Sequence, residues 1–507
     1  MRRTRLPDLI DRHEWLLAGL LLVLGCALRL TLCGALPVGL NQDEASAGYD
    51  AWAILHYGID RCGKSWPVLL TAWGSGQNAL MSYLAMPGIA LFGLSAFTTR
   101  LPNALAGCLT LWVFWRLARR VRGPRFALTA LLVLSLNPWH IMMSRWGLES
   151  NLLPCVPVLG LYFTVRAGER PRLLVAAAAC FALSLYAYGT AFFLLPLLMP
   201  CLLIWLGRRL RWKPTLLALG VFVLLALPIA AAQAISALGW EETVIFGVTL
   251  PRLSESRQAA TSVLGGGGLR AVWGNLKNLL RLLWTQSDGL IWNALPLRQG
   301  GLFYFFGLPL AVVGIVCSIR QRKNVSDELP LLLSLGCGLA CALLIDGNVN
   351  RLNFLWLPLL WFCAVGLHAI LARLGSWAAL PILGLLACCC IFCSSYVRSL
   401  GGRGNVNFFP GLEESLRFAD TLDAETVYIT PTVNQPYIFA LFYEQVPPDT
   451  FVESVEYRDE NAAFRDVLRF EGFEFADPTK ADVRIVWRGY EEDGEVLARY
   501  GCFAVCR

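Results

Sequence analysis

The sequence is short of charged side chains, which make up 16% of its 507 residues, while 56% are hydrophobic. Soluble globular proteins carry about 25% charged residues, so this shortage excludes an ordinary soluble fold. The mean hydropathy of +0.55 points the same way. The sequence therefore predicts an integral membrane protein.

Several signatures of other protein classes are missing from the sequence. Only 4 histidines occur, and neither His56 nor His140 has the closely spaced partners of a metal site, so both are interpreted as interfacial side chains. The sequence has no Gly-rich phosphate loop of the kind that binds nucleotides. The sequence also has no internal repeat like the paired halves of common secondary transporters. No metal ligands are predicted, although a divalent metal stays open as a cofactor.

Long apolar runs are what the sequence has in abundance. A membrane-spanning helix needs roughly 20 apolar residues, and about eleven such runs occur. They lie near residues 15–36, 99–118, 126–144, 150–166, 173–188, 190–207, 215–234, 301–319, 329–346, 353–372 and 376–396. The apolar stretch from Leu173 to Trp205 is too long for one crossing, so a turn is predicted near "YAYGT". The fold class is mostly α, a polytopic transmembrane helical bundle.

Basic residues cluster after alternate apolar runs. The clusters are Arg116, Arg119, Arg120, Arg122 and Arg125; Arg166, Arg170 and Arg172; Arg208, Arg209, Arg211 and Lys213; and Arg320, Arg322 and Lys323. The positive-inside rule places these clusters in the cytoplasm together with the N-terminus. An odd number of spans then places the C-terminus outside. We therefore expect a multi-pass protein of the cell membrane.

The C-terminal part of the chain differs in charge from the rest. Residues 411–507 contain 20 acidic and 9 basic residues. "EESLRFADTL" is typical of a helix, and "TVYIT" and "ADVRIVW" are typical of strands. The predicted domains are a membrane domain, residues 1–397, and a small α/β extracytoplasmic domain, residues 398–507. In "CFAVC" an extended strand separates Cys502 and Cys506 by about 13 Å, too far for a disulfide.

Two outer loops, about residues 37–98 and 235–300, are unusually long. The first includes "ALMSYLAMPGIALF", too short to span and interpreted as interfacial or re-entrant. The second holds Gly265 to Gly268, followed by a helix predicted to lie on the membrane surface. Its apolar residues are Trp273, Leu276, Leu280, Leu283 and Trp284, with Lys277 and Arg281 between them. It is either a movable cover or an ordinary amphipathic helix.

Two adjacent acids follow the first apolar run, in "GLNQDEASAGYDAW". If a helix begins at Asp43, then Asp50 lies near it and Tyr49, Trp52 and His56 lie on the opposite side. Because aromatic residues favour the headgroup layer, this helix is predicted to lie along the outer membrane surface with Asp43 pointing into the protein. The alternative is that Asp43 is a plain helix N-cap.

Further charges occur at the same predicted side of the membrane. Arg145 and Glu149 are one helical turn apart in "SRWGLESN", and Arg100 and Arg351 each stand just before or at the start of an apolar run. Ionisable groups near hydrocarbon are costly and tend to be paired or functional. For a single arginine, snorkelling to lipid headgroups is the alternative.

The order of several segments resembles the GT-C membrane glycosyltransferases, and most closely their family 39 group. That group includes the protein O-mannosyltransferases and the bacterial aminoarabinose transferases. The segments are "DEASAGYDAW", "SYLAMPGIALFGLSAFTTRLPNALAG", "RRVRGPRF", "SRWGLESN" and "NRLNFLWLPLLWF". The resemblance covers about residues 10–400 and implies a GT-C type bundle. It also implies inverting transfer of a hexose or pentose from a polyprenyl-phosphate carrier to an acceptor hydroxyl outside the cytoplasm.

The resemblance also implies roles for the outer charges. Asp43 corresponds to the acid that acts as base on the acceptor hydroxyl. Negative charge from Glu44 or Glu149 would stabilise the positive charge that develops on the sugar.

Arginine suits the departing lipid phosphate because its planar fork binds phosphate oxygens in pairs. Arg351 resembles the phosphate-binding position, and Arg145 and Arg100 are second choices. The implied partners are the lipid-linked donor, the bilayer and an acceptor that is a protein, a glycolipid or a cell-wall polymer, with no nucleic acid.

Two other functions fit the same pattern. One is a secondary transporter or flippase of lipid-linked or polar substrates, since many spans with intramembrane charges also describe transporters. The other is a lipid-linked polysaccharide polymerase or ligase.

Overall fold

Helices dominate the first 400 residues of the computed structural model, which describes residues 12–73, 75–253, 262–263, 266, 268–320, 325–402, 405–459, 462, 465–491 and 494–507. Gly265 and Gly267 of the predicted glycine run lie outside the described residues, as do Arg322 and Lys323 of the last basic cluster. The helices of this part are α1 Glu14–Leu30, α2 Gln42–Tyr57, α3 Leu80–Phe92, α4 Ala96–Arg122, α5 Pro124–Ser135, α6 Pro138–Ser144, α7 Cys155–Ala167, α8 Leu173–Ala187, α9 Ala191–Leu206, α10 Trp212–Leu238, α11 Gly268–Thr285, α12 Gly307–Arg320, α13 Val325–Leu344, α14 Asn353–Leu374 and α15 Ala379–Leu400.

The helices support a multi-pass membrane protein, but the count of about eleven spans is not confirmed. Within the described residues, four segments are long and apolar enough to cross a membrane: Ala191–Arg209, Trp212–Leu238, Asp327–Leu344 and Asn353–Leu400. Helices α5 and α6, bent by 61° at their junction, make five if they form one span. Several other predicted spans correspond to apolar helices shorter than 18 residues, for example Leu173–Ala187 and Gly307–Arg320. The turn predicted near "YAYGT" is present, because α8 ends at Ala187 and Tyr188 is extended.

Helix α4 connects two ends of the bundle that differ in charge. At about 1.5 Å per residue its length is about 40 Å, with Arg100 in its first turns and Arg119, Arg120 and Arg122 in its last turn. Arg119 bonds to Glu14 at 2.7 Å, Arg120 pairs with Glu169 and Arg122 with Glu328. These pairs bring the basic cluster of α4 together with the starts of α1 and α13 at one end.

The C-terminal domain is a mixed seven-stranded sheet with three helices, as the sequence predicts. The strands are β5 Val427–Ile429, β6 Glu456–Tyr457, β7 Val467–Phe470, β8 Phe473–Glu474, β9 Val483–Trp487, β10 Val496–Tyr500 and β11 Phe503–Cys506, in the order β10-β11-β9-β5-β8-β7-β6. Strand β5 runs parallel to β8 and β9, and the other pairs are antiparallel. The helices are α16 Leu412–Asp420, α17 Pro436–Glu444 and α18 Pro448–Ser454. Cys502 and Cys506 are both free thiols.

The C-terminal domain shares a hydrophobic core with the first outer loop. That loop contains α2, α3 and the hairpin β1 Leu69–Ala72 and β2 Ser75–Asn78. The hydroxyl of Tyr49 donates to the carbonyl of Val446 at 2.6 Å, and Trp52 is buried. The expectation that this aromatic face lies in the lipid headgroups is therefore wrong for Tyr49 and Trp52, which are buried in the shared core, whereas His56 of the same face is exposed.

The second outer loop contains a short hairpin and the predicted amphipathic helix. The hairpin is β3 Thr243–Ile245 and β4 Val248–Leu250, with Phe246 fully exposed at its tip. Helix α11 buries Leu279 and Leu282 and leaves Trp273 and Trp284 exposed. The amphipathic helix is thus present, with an apolar face on the surface.

Candidate active site

In the first turn of α2, neighbouring polar residues make different contacts. Asn41 is the N-cap, and its side chain accepts a hydrogen bond from the backbone N–H of Asp43 at 3.1 Å. The Glu44 carboxylate accepts from the N–H of Asn41 at 3.1 Å, which completes a capping box. Asp43 is therefore not the cap. Its Oδ1 accepts instead from the indole Nε1 of Trp73 at 3.3 Å.

A cavity of about 270 Å³ lies beside the start of α2 and is lined by Asp43, Glu149 and Arg351. These three residues come from α2, from a 3₁₀ turn at Glu149–Leu152 and from the segment before α14. The structure thus joins three of the six predicted site residues in one volume. Each was identified in the sequence by its charge and by the resemblance to GT-C glycosyltransferases.

Glu149 and Arg351 are held differently at this cavity. Glu149 is buried, and its Oε2 accepts from the backbone N–H of Asn78. The Arg351 side chain is 28% exposed, and its Nη1 donates to the carboxylate and the backbone carbonyl of Asp346, at 3.1 and 2.9 Å. Asp346 is 70% exposed, so this surface pair contributes little stability and can exchange for another anion.

Glu44 and Arg100 do not line the cavity. They form a bidentate pair at 2.8 and 2.9 Å, and both side chains are completely buried. The remaining donors of Arg100 point to the carbonyls of Cys33, Pro37 and Gly39. Because all five guanidinium N–H groups are used, Arg100 has none left for a phosphate.

Arg145 also points away from the cavity. It is buried and donates to the carbonyls of Leu28, Thr31 and Leu32 at 3.1, 2.6 and 3.1 Å, at the C-terminal end of α1. A cation is favourable there because the carbonyls at a helix end carry partial negative charge. The arrangement indicates that Arg145 holds α1 in place.

Most of the polar lining of the cavity was missed by sequence reasoning. It consists of amides and aromatic rings from eight segments: Asn41, Gln42, Gln77, Trp146, Tyr188, Trp292, Asn293, Asn348, Asn350, Asn407 and Asn434. The one available signal was the "NVN" immediately before Arg351. Asn407 and Asn434 belong to the C-terminal part of the chain, which therefore forms part of the wall.

A buried hydrogen-bonded network lies behind Asp43. The Gln77 amide donates to the Asp43 carbonyl at 3.4 Å, and its oxygen accepts from the Ser46 hydroxyl at 3.0 Å. Arg61 donates to that hydroxyl at 2.6 Å and stacks over the Trp73 ring at 4.9 Å. Since Trp73 itself bonds to Asp43, this network fixes the position of the Asp43 carboxylate.

The network ends in two buried acids outside the membrane-spanning segments. Asp50 contacts Arg61 at 3.4 Å, and burial raises the pKa of Asp50. Burial, and then the charge of Asp50, raises the pKa of Asp60 to about 7, although two backbone N–H groups bond to its Oδ1. Asp60 therefore titrates near neutral pH.

The residues of the cavity do not form an evident metal site. Within the described ranges, no three His, Cys, Asp or Glu side chains are grouped so that they could hold a metal ion. His140 accepts from Arg29 through Nδ1, at 2.8 and 3.1 Å, and His56 bonds to the carbonyl of Trp52.

Comparisons with known proteins identify the fold. Residues 77–232 match the family model of dolichyl-phosphate-mannose-protein mannosyltransferases. The structure is similar to ArnT from Cupriavidus metallidurans bound to undecaprenyl phosphate, with a TM-score of 0.56 and 14% identity, covering 97% of this chain and 98% of that one. Apo ArnT from the same organism gives 0.58 and 14%, covering 98% of each chain. A comparison with curated proteins found no match. The predicted resemblance to GT-C membrane glycosyltransferases is confirmed.

Proposed function

We propose that this protein transfers a sugar from a polyprenyl-phosphate carrier to an acceptor hydroxyl, with inversion, at the extracytoplasmic face of the membrane. The observation that carries the proposal is the single cavity lined by Asp43, Glu149 and Arg351. A base, a second anion and an exchangeable cation are the groups that this transfer requires. The similarity to ArnT, whose structure was solved with undecaprenyl phosphate, supports this class of donor.

Asp43 is proposed to act as the base. The acceptor oxygen attacks the anomeric carbon, its proton passes to the Asp43 carboxylate, and the bond from the anomeric carbon to the phosphate oxygen breaks. The bonding electrons leave with the phosphate. An aspartate with an ordinary pKa of about 3.9 is too weak a base to ionise an alcohol beforehand, so the proton moves as the bond breaks. The network of Gln77, Trp73 and Arg61 keeps the carboxylate in position for this step.

Arg351 and Glu149 are proposed to stabilise the two charges that develop. When a lipid phosphate arrives, Arg351 exchanges its contact with the exposed Asp346 for the phosphate oxygens, and a charge-assisted hydrogen bond is stronger with a more strongly charged anion. Glu149, buried in the wall, places negative charge near the sugar as its ring oxygen becomes positive. The amides of the lining are suited to bond sugar hydroxyls.

The charges at the two ends of α4 support the proposed sidedness of the reaction. The basic residues Arg119, Arg120 and Arg122 lie at its last turn, whereas Arg100 at its other end contacts Glu44, next to Asp43. The positive-inside rule assigns the basic end to the cytoplasm. The cavity then opens on the opposite face, where a lipid-linked donor is presented.

The proposal is tested by incubating the purified protein with radiolabelled polyprenyl-phosphate sugars and a membrane extract. We expect label to move to an acceptor with the wild-type protein and not with Asp43→Asn. Unchanged lipid-linked label, together with altered uptake or export of the sugar in cells that express the protein, would instead support a transporter.

A further inference from the structure

A second cavity, of about 520 Å³, lies on the sheet of the C-terminal domain. It forms beside the neighbouring parallel strands β5 and β9, in which Tyr428 pairs with Arg484. Thr430 and Thr432 lie just beyond the carboxyl end of β5, and Trp487 is the last residue of β9. Carboxyl ends of parallel strands commonly hold ligands, and the volume suits a small ligand.

The lining of this cavity combines flat rings with hydroxyl groups. Trp487, Tyr428 and Tyr490 supply the rings, and Thr430 and Thr432 supply the hydroxyls. The indole Nε1 of Trp487 donates to the Thr432 hydroxyl at 2.7 Å, and that hydroxyl also contacts Thr430 at 2.9 Å. These bonds fix the indole plane in one orientation.

A guanidinium group completes the lining. Arg484 donates to the main-chain oxygen of Arg507, the last residue of the sequence, at 3.2 Å, and in the described part of the chain no side-chain carboxylate is paired with it. Glu491, also in the lining, contacts Arg499 at 3.4 Å. Aromatic faces bind the C–H faces of sugar rings, while hydroxyls and arginine N–H groups bond ring hydroxyls. The chemistry of the lining therefore matches a saccharide.

The second cavity shares a wall with the Asp43 cavity. Val406 lines the second cavity and its neighbour Asn407 lines the first. Phe409 of the first cavity lies 6.1 Å from Trp487 of the second, measured between ring centroids. A chain bound in the second cavity therefore lies one layer of residues from the cavity that contains Asp43.

We propose that the second cavity is an acceptor subsite that binds a saccharide chain and presents one of its hydroxyls to Asp43. This inference rests on the proposed function and deepens it by naming the acceptor class. The acceptor is then a glycan or the glycan part of a larger molecule. The C-terminal domain selects it, and the Asp43 cavity performs the transfer.

The test uses the full-length protein with a panel of fluorescently labelled, unbranched di-, tri- and tetrasaccharides. Tyr490→Ala removes a ring that is 74% exposed, and Arg484→Gln removes the guanidinium, so neither change disturbs buried packing. The matched control is Arg458→Gln, since Arg458 is an exposed arginine next to β6, at the opposite edge of the sheet. Binding is measured by thermophoresis, and hydrolysis of the labelled lipid-linked donor is measured without acceptor.

We expect at least one saccharide to bind the wild type, about tenfold more weakly to each cavity variant, and unchanged to Arg458→Gln. Donor hydrolysis should be the same in all four proteins, because the Asp43 cavity is untouched. If the donor is consumed but no saccharide binds, if all variants bind equally, or if a serine- and threonine-containing peptide displaces the saccharide, the inference is overturned. If no protein consumes the donor while the cavity variants still lose saccharide binding, the proposed function fails and the binding site stands.

Discussion

The Asp43 cavity and the protein interior beside it both contain carboxylates and arginines. At the cavity these side chains line an open volume, whereas in the interior they are enclosed by partners. Beside the cavity, Glu44 and Arg100 form a buried ion pair. Arg145 donates to the carbonyls of Leu28, Thr31 and Leu32 at the end of α1. At the cavity, Asp43 and Arg351 line an open volume. Charge near a membrane therefore has two uses, to hold helices together and to bind a ligand. A charged side chain that lines an open volume serves the second use, and one enclosed by protein groups serves the first.

The largest expected effect is on catalysis at Asp43. Asp43→Asn keeps the size of the side chain and its acceptor for Trp73 but removes the base, so transfer should fall about 10²- to 10⁴-fold. The unfolding temperature should stay within a degree or two of wild type. The matched control is Asp449→Asn, an exposed acid in α18. Equal losses of activity in both variants would remove the distinction between the cavity and its surroundings.

The next effect is on stability, at the neighbouring residue. Glu44→Gln leaves Arg100 buried without its anion, which should lower the free energy of unfolding by about 3–5 kcal/mol. Denaturant unfolding in detergent measures this loss. The double variant Glu44→Gln with Arg100→Met should recover part of it. A stable but inactive Glu44→Gln protein would show that Glu44 takes part in the chemistry.

A third comparison concerns the arginines. Arg351→Gln should weaken binding of polyprenyl phosphate about 10- to 100-fold with little change in stability, because charge-assisted bonds to the phosphate are lost. Asp346→Asn frees Arg351 and should not weaken binding. Arg145→Gln should destabilise the protein instead. Binding is measured with a fluorescent polyprenyl phosphate, and a stronger effect of Arg145→Gln on the affinity of folded protein would contradict this assignment.

The smallest expected effect is a pH dependence of stability. Because the pKa of Asp60 is raised to about 7 in the folded state, the folded protein binds more protons than the unfolded chain between about pH 4 and 7. Stability should therefore decrease as pH rises through this range. Asp60→Asn still accepts the N–H bonds of Cys62 and Lys64 and should flatten the dependence of the unfolding temperature on pH. An unchanged slope would assign the dependence to other groups.

The sequence predicted the helical bundle, the α/β domain and the acids at the start of α2, because these depend on local composition and periodicity. It did not predict that Glu44 lies outside the cavity, since Glu44 pairs with Arg100, 56 residues away. The aromatic face of α2 was assigned to lipid because its cover, near Val446, lies 397 residues further along the chain. Contacts between residues so far apart in the chain cannot be predicted from the local sequence.

The amides that line the cavity could not be predicted from the local sequence either. Asn293, Asn348, Asn407 and Asn434 come from separate loops, and single asparagines in loops are common as turn residues. Only their convergence makes them a binding surface. Charge was a usable signal because it is scarce in this chain, whereas the amides gave only the "NVN" before Arg351.

The lipid phosphate is proposed to bind in the cavity that contains Asp43. The most direct measurement is an experimental structure of the protein with a bound polyprenyl phosphate. We predict that the phosphate lies in this cavity, within about 4 Å of the Arg351 guanidinium, with the lipid tail leading into the bilayer. A phosphate bound at the basic end near Arg119, or beside a rearranged Arg100 or Arg145, would contradict the claim.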